Sequence, residues 1–161
     1  MEILYPFNKF ATEPSLNSIF NVIEPNEINK DTYGHKIREL LIISCTEVEY
    51  LLRKILTDNG YGIEQHLTTN DYVKVRPLLK LDEYRVKLKF HPSMGSFSPF
   101  KDWNDKKPTK SLDWYDAYNQ TKHNRGENFY FANLNSTINA IAVLHIFCLL
   151  YTSDAADILR V

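Results

Sequence analysis

The stretch TYGHKIRELLIISCTEVEYLLRKILTD, residues 32–58, decides the fold. Its apolar side chains recur at spacings of three and four residues, the period of an amphipathic helix. We predict a helix over Thr32–Asp58, with Asp31 as its N-cap and Asn59-Gly60 as its stop signal. The apolar stripe consists of Ile37, Leu40, Leu41, Ser44, Val48, Leu51, Leu52 and Ile55.

Two later segments also carry helical signals. Ser111 is suited to cap a helix and Gly126 to end one, so we predict a helix over 111–125. A last helix begins between Asn128 and Asn133 and is hydrophobic nearly all round, which is typical of a helix in the middle of a bundle. The expected fold class is therefore mainly α, a small helical bundle.

Residues 61–110 form an irregular, partly extended insertion in this prediction. Tyr84–His91 alternates strictly between two kinds of side chain, the period of an extended segment with two faces. Ser93–Thr109 is predicted to be a long loop that its aromatic residues keep ordered. The apolar face of the alternating segment carries Val86, Leu88 and Phe90, and the basic face carries Arg85, Lys87, Lys89 and His91.

Composition narrows the class of protein. The 161 residues favour one domain, and 43% apolar and 24% charged residues are ordinary for a folded soluble protein. A net charge of −1 argues against a wholly basic nucleic-acid binder, although a local basic patch is compatible with it. The two cysteines form no CxxC pattern, so neither a zinc site nor a disulfide framework is indicated. We find no Gly-rich phosphate loop, and no metal or cofactor is expected.

The predicted location is the cytoplasm, without a membrane span. The N-terminal MEILYPFNKF lacks a basic region followed by a long apolar run, so it does not indicate a secretory signal. The longest apolar run, Ile138–Tyr151, is interrupted by Asn139 and His145 and is too short to cross a bilayer.

The C-terminal residues have a different origin in our interpretation. Cys148–Asp157 reads CLLYTSDAAD, which resembles the translation of a transposon-end adaptor used in sequencing-library preparation. We therefore expect residues 1–147 to form a single helical domain and residues 148–161 to be a non-native tail that carries no function.

The predicted helix 111–125 concentrates chemically useful groups. Helical spacing places Tyr115, Asn119, Lys122 and His123 on one side of it, and Trp114, Tyr118, Thr121 and Arg125 on another. Arginine and lysine neutralise a phosphate, histidine exchanges a proton near neutral pH, and aromatic rings stack on exposed bases. On the first predicted helix, Glu47 flanks the apolar stripe and is a candidate partner for Lys122 or His123.

Two motifs carry a resemblance to known proteins. The first is SCTEVEYLL, residues 44–52, and the second is YNxxKHxR, residues 118–125, followed by an apolar helix. Together they resemble small bacterial proteins of unassigned function and, more distantly, the HEPN superfamily of helical nucleotide-binding and RNase domains. The resemblance covers about residues 20–147. It implies a cytoplasmic helical fold, RNA or a nucleotide as ligand, a homodimer, and a role in bacterial (phage) defence or toxin systems.

The resemblance departs from the catalytic HEPN pattern in one respect. That pattern places Arg four to six residues before His at the start of a helix, where the pair cleaves RNA without a metal. The literal match here, Arg85–His91, falls in the extended segment, where six residues separate the pair by about 20 Å. His123 and Arg125 occur in the opposite order. The resemblance therefore implies the fold more than the catalysis.

Three functional hypotheses follow. In the first, a metal-independent ribonuclease uses His123 as general acid or base, Arg125 and Lys122 to stabilise the phosphorane, and Asn119 to orient His123. RNA would then also contact Glu47, Trp114, Tyr115 and Tyr118, and the basic face Arg85, Lys87 and Lys89 would guide its backbone. In the second, the chain is a non-catalytic module that binds a nucleotide or a protein. In the third, the Asn, Lys and His side chains form a structural network.

Overall fold

A computed structural model gives the fold, and it describes residues 2–5, 12–61 and 66–152. Its elements, in chain order, are β1 Glu2–Tyr5, α1 Thr12–Phe20, α2 His35–Asp58, α3 Thr69–Tyr72, α4 Val75–Leu79, β2 Arg85–Leu88, β3 Ser96–Phe97, α5 Asp113–His123, α6 Arg125–Asn128 and α7 Leu134–Thr152. The mainly α fold class is confirmed.

Helix α2 ends where the sequence predicts but begins later. Asn59 is its C-cap, and Gly60 follows with a φ of 78°, in the left-handed region that favours glycine. The predicted N-cap Asp31 is wrong, because the N-cap is Gly34. Tyr33 lies instead in an antiparallel bridge with Asn133, which keeps the preceding backbone extended.

The core is built around α7. Helices α2 and α5 both pack on α7 and on each other, and α1 packs on the outside of α2. The middle of α7 is buried on all sides, as its uniformly apolar sequence predicts. The amide oxygen of Asn133 accepts from the N–H of Ser136 at 3.0 Å and so caps the start of α7.

Helix α7 is longer than the apolar run from which we excluded a membrane span. Its window Leu134–Tyr151 covers 18 residues and is apolar enough to cross a bilayer by length and composition. However, 72% of this window is buried inside the protein, as in the core helix of a soluble protein.

The predicted extended segment is confirmed over Arg85–Leu88. As β2, it is the middle strand of a small sheet, parallel to β1 and antiparallel to β3. Val86 and Leu88 are buried, but Phe90 is 64% exposed, because the strand ends before it and the chain turns. The apolar face is therefore one residue shorter than predicted.

The loop between β3 and α5 is ordered by buried aromatic rings, as expected. Phe100 stacks on Trp103, with 5.3 Å between ring centroids. The indole N–H of Trp103 donates to the carbonyl of Pro108, and that of Trp114 donates to the carbonyl of Pro99, both at 2.9 Å. These bonds tie the loop to itself and to the start of α5.

Helix α5 is shorter than the predicted 111–125. Its N-cap is Leu112, not Ser111, and it ends at His123. Asn124 leaves the helical conformation, with φ −136° and ψ 71°, and Gly126 lies inside the short helix α6. The guanidinium of Arg38 donates to the carbonyl of Thr121 at 3.2 Å and so satisfies one of the last carbonyls of α5.

The predicted non-native tail is described in part. Residues 148–152 continue α7, and Leu150 is buried there. Residues 153–161 lie outside the described residues.

His145 on α7 makes folding sensitive to acid. Its side chain is 6% exposed, and burial lowers its pKa to about 4. The ordinary pKa of about 6.5 applies in the unfolded chain, so the unfolded state binds a proton first as the pH falls. The histidine therefore stabilises the protein above pH 6.5, and about 3 kcal/mol is lost as the pH falls from about 6.5 to 4.

We expect His145→Gln to weaken the dependence of the free energy of unfolding on pH between about 6.5 and 4. The free energy of unfolding, measured in urea from pH 4 to 7.5, should fall less steeply with acid in the variant than in the native protein. Equal slopes for the two proteins would contradict the assignment.

Candidate functional site

Helices α2 and α5 lie side by side and run in opposite directions. Near the start of α5, the Tyr115 hydroxyl donates to the carboxylate of Glu49, far along α2. Near the end of α5, the carbonyl of Thr121 meets Arg38 in the second turn of α2. These two contacts set the register of the helix pair and define the line along which the site lies.

A polar cleft of about 520 Å³ opens along this line. Its walls are α2, α5, the start of α3 with the residues before it, and Thr109 of the preceding loop. Threonines at positions 46, 68, 69 and 109 are among its lining residues. Its titratable or amide side chains are Glu49, Arg53, His66, Asn119 and Lys122, together with the tyrosines at positions 50, 72 and 115.

The hydrogen-bonded Glu49–Tyr115 pair lines the cleft between α2 and α5. Tyr115 is buried, and this burial raises the pKa of its hydroxyl well above the ordinary value, with the bond to Glu49 as a further cause. One turn earlier on α2, Cys45 is fully buried, and burial with the nearby Glu49 charge raises the pKa of its thiol. The thiol therefore stays protonated and does not act as a nucleophile.

Lys122, two turns after Tyr115 on α5, is held by Tyr118. Its ammonium donates to the Tyr118 hydroxyl at 3.1 Å and lies 5.2 Å from the ring centroid. The hydrogen bond to Tyr118 is the main cause that raises the pKa of Lys122. Lys122 is exposed and stays cationic, so a ligand in the cleft meets a fixed positive charge.

Among the predicted site residues, Asn119, Lys122 and Tyr115 line the cleft together. Glu47 does not line it, and Glu49 takes the place expected for that carboxylate. The two glutamates lie about 200° apart around the helix axis, so only one of them can face α5. The sequence signal for the correct face was the spacing of Thr46, Glu49 and Arg53.

The expected stacking surface of Trp114 and Tyr118 is not accessible. Trp114 is 3% exposed and Tyr118 is 2% exposed, because α5 uses both rings to pack into the core. Their polar atoms are also engaged, with Pro99 and Lys122 respectively. Neither ring can stack on a base without unpacking the helix.

His123 and Arg125 are not brought into the cleft. His123 follows Lys122 by about 100° around α5, its side chain is exposed, and it does not line the cleft. Arg125 lies beyond the break at Asn124 and contacts His35, with 3.1 Å from its Nη2 to the His35 Nδ1. The expected grouping of His123 with Asn119 and Lys122 is therefore not formed. His66, which the sequence did not single out, is the imidazole that lines the cleft.

The basic face of the extended segment lies apart from this site. Arg85 and Lys89 are exposed, Lys87 is half-buried, and none of the three lines the cleft. Their contact with a nucleic-acid backbone stays a prediction.

Comparisons with known proteins return no match among protein-family models, curated proteins or solved structures. Within residues 2–5, 12–61 and 66–152, no three His, Cys, Asp or Glu side chains are grouped so as to hold a metal ion.

The Glu49–Tyr115 hydrogen bond should contribute to the free energy of unfolding and to the way that free energy depends on pH. We expect Tyr115→Phe to lower the free energy of unfolding by about 1–2 kcal/mol at pH 8, because a half-buried carboxylate loses its donor. In the unfolded chain a tyrosine ionises near pH 10, while folded Tyr115 ionises later. The stabilisation by Tyr115 is thus complete below about pH 10 and is lost as the pH rises further.

The difference between the native protein and Tyr115→Phe should therefore shrink above about pH 10 in urea unfolding. Tyr50→Phe is the matched control, since Tyr50 is 59% exposed and its loss should cost less than about 0.5 kcal/mol. Equal stability of Tyr115→Phe and the native protein at pH 8 would show that the bond does not contribute.

Proposed function

We propose that the protein binds single-stranded RNA or a nucleotide in the α2–α5 cleft. The observation that carries this proposal is the convergence of Arg53, Lys122, Asn119 and Glu49 on one open polar cleft. Two permanent cations against one carboxylate give the cleft a positive local balance, although the whole chain has a net charge of −1. Such a balance favours a ligand that carries phosphate.

Different polar side chains of the cleft suit different parts of a nucleotide. Lys122 offers a charged donor and Arg53 can bind two phosphate oxygens at once. The Asn119 amide can donate to and accept from a base edge or a ribose hydroxyl. The hydroxyls of Thr46 and Thr68 already donate within the protein, to the Ile42 carbonyl and to Asp71, so they can only accept from a ligand.

The geometry supports binding more directly than the cleavage expected from His123 and Arg125, because neither residue lines the cleft. Cleavage is a second candidate for one specific reason, the presence of His66 in the lining of the same cleft. His66 would then remove the proton of the ribose 2′-hydroxyl as its oxygen attacks the adjacent phosphorus, and Lys122 and Arg53 would stabilise the phosphorane. The bond from phosphorus to the 5′-oxygen would break, that oxygen would take the proton back from His66, and a 2′,3′-cyclic phosphate would remain.

The proposal also includes a cellular role. A helical bundle with a phosphate-binding cleft fits the resemblance to HEPN proteins, which implies a cytoplasmic bacterial defence or toxin role and a homodimer. The alternative is a non-catalytic module that binds a protein partner.

Binding is tested by fluorescence anisotropy with labelled oligouridylate at low salt. We expect Lys122→Ala and Arg53→Ala each to weaken binding by about three- to tenfold and to lower the slope of log affinity against log salt by about one. Lys101→Ala is the charge-matched control, because Lys101 is exposed and does not line the cleft.

The same samples, incubated in EDTA and resolved on a gel, test cleavage. Products that disappear in His66→Ala but persist in His123→Ala would establish the second candidate. Absence of RNA binding by the native protein at low salt would refute the proposal and leave the protein-interaction module.

A further inference from the structure

A second group of chemically active side chains lies where α2 begins. Arg125 and His35 are joined by a 3.1 Å contact, and both are exposed. Phe129 lies under both, with its ring centroid 5.8 Å from the guanidinium carbon and 5.0 Å from the imidazole centroid. The ring of Tyr33 meets Phe129 edge-on at 5.6 Å and is 52% exposed. We call these four residues the His35–Arg125 cluster.

Backbone bonds hold the cluster in place. Tyr33 forms its bridge with Asn133, and the N–H of Leu134 donates to the carbonyl of Thr32 at 2.9 Å. The start of α2 is thereby tied to the start of α7. An exposed aromatic ring on fixed backbone is a suitable platform for a base, since little conformational freedom is lost when the base stacks.

The chemistry of the cluster suits a phosphate. A guanidinium has no acceptor and does not deprotonate, so the Nδ1 of His35 accepts from Arg125 and its Nε2 carries the proton. Arg125 and His35 together thus present N–H donors and one positive charge at the surface. The carboxylate of Glu127, two residues after Arg125, already has a partner, because it accepts a hydrogen bond from the Asn124 amide at 2.9 Å.

The cluster and the cleft lie on the same face of α2. Around the helix axis, His35 is within about 40° of Thr46, Glu49 and Arg53. Along the axis, His35 and Glu49 are about 21 Å apart. Opposite α2, Lys122 near the end of α5 lines the cleft, and Arg125, three residues later in α6, belongs to the cluster.

We infer that the ligand of the cleft is a single-stranded RNA that continues along the α2–α5 pair to the His35–Arg125 cluster, an inference that rests on the proposed function. Arg125 and His35 bind a phosphate of the strand, and Tyr33 stacks on a base beside it. At about 3.4 Å per stacked nucleotide, the 21 Å from His35 to Glu49 corresponds to about six nucleotides. Lys122 marks the near end of the cleft, because three residues place its Cα at most about 11 Å from that of Arg125.

The test is the dependence of affinity on RNA length. Dissociation constants for oligouridylates, from the dinucleotide to the octanucleotide, are measured at one salt concentration for the native protein, Arg125→Ala, Tyr33→Ala and Lys101→Ala. We expect native affinity to rise until about six nucleotides and then to level off. Arg125→Ala and Tyr33→Ala should each weaken octanucleotide binding by about tenfold and leave dinucleotide binding unchanged. Lys101→Ala should follow the native curve.

Two results would overturn the inference while the proposed function stands: equal native affinity for the dinucleotide and the octanucleotide, or equal loss of both in Arg125→Ala. Lys122→Ala separates the two proposals further, because it should weaken binding at every length. If no oligouridylate binds the native protein, both proposals fail together.

Discussion

The structure depends on the need to cover α7, a helix that is apolar on every side. Such a helix is stable in water only when other elements remove its surface from solvent. Helices α2 and α5 do most of this, each with one apolar stripe against α7. Because both press on the same partner, they also lie against each other, and their polar edges meet in a groove. The candidate site is therefore a consequence of how the core is closed.

Closing the core does not by itself set the register between α2 and α5. That register follows from two polar contacts, Tyr115 with Glu49 and Arg38 with the carbonyl of Thr121. The first joins a buried hydroxyl to a carboxylate, and the second supplies a donor to a helix end that would otherwise lack one. Both contacts would be lost if α5 slid by one turn, so the cleft residues are held in one arrangement.

Periodicity predicted helix α2 and the strand at Arg85–Leu88, because burial on one face leaves a regular trace in the sequence, whereas α7 was predicted from its nearly unbroken apolar run. The ends of α2 and α5 were less predictable, since Gly34 and Asn124 act through backbone conformations that several residue types can adopt. In the site, Asn119 and Lys122 could be grouped by spacing. For Glu49 over Glu47, the spacing of Thr46, Glu49 and Arg53 marks a polar face of α2, but only the structure shows that this face meets α5. The contact between His35 and Arg125 joins residues far apart in the chain, so no local pattern reveals it.

The break at Asn124 has the largest effect on how the surface is arranged. Had α5 continued, Arg125 would lie three residues after Lys122 on the same helix and would keep turning with it. Instead the chain changes direction, and α6 carries Arg125 to the first residue of α2. Two cations that are neighbours in sequence are thus set at the cleft and at the start of α2, along one face of the longer helix. A small ligand would need only the first of these positions, whereas an extended polyanion could use both, and this is why the ligand we propose is a strand and not a single nucleotide.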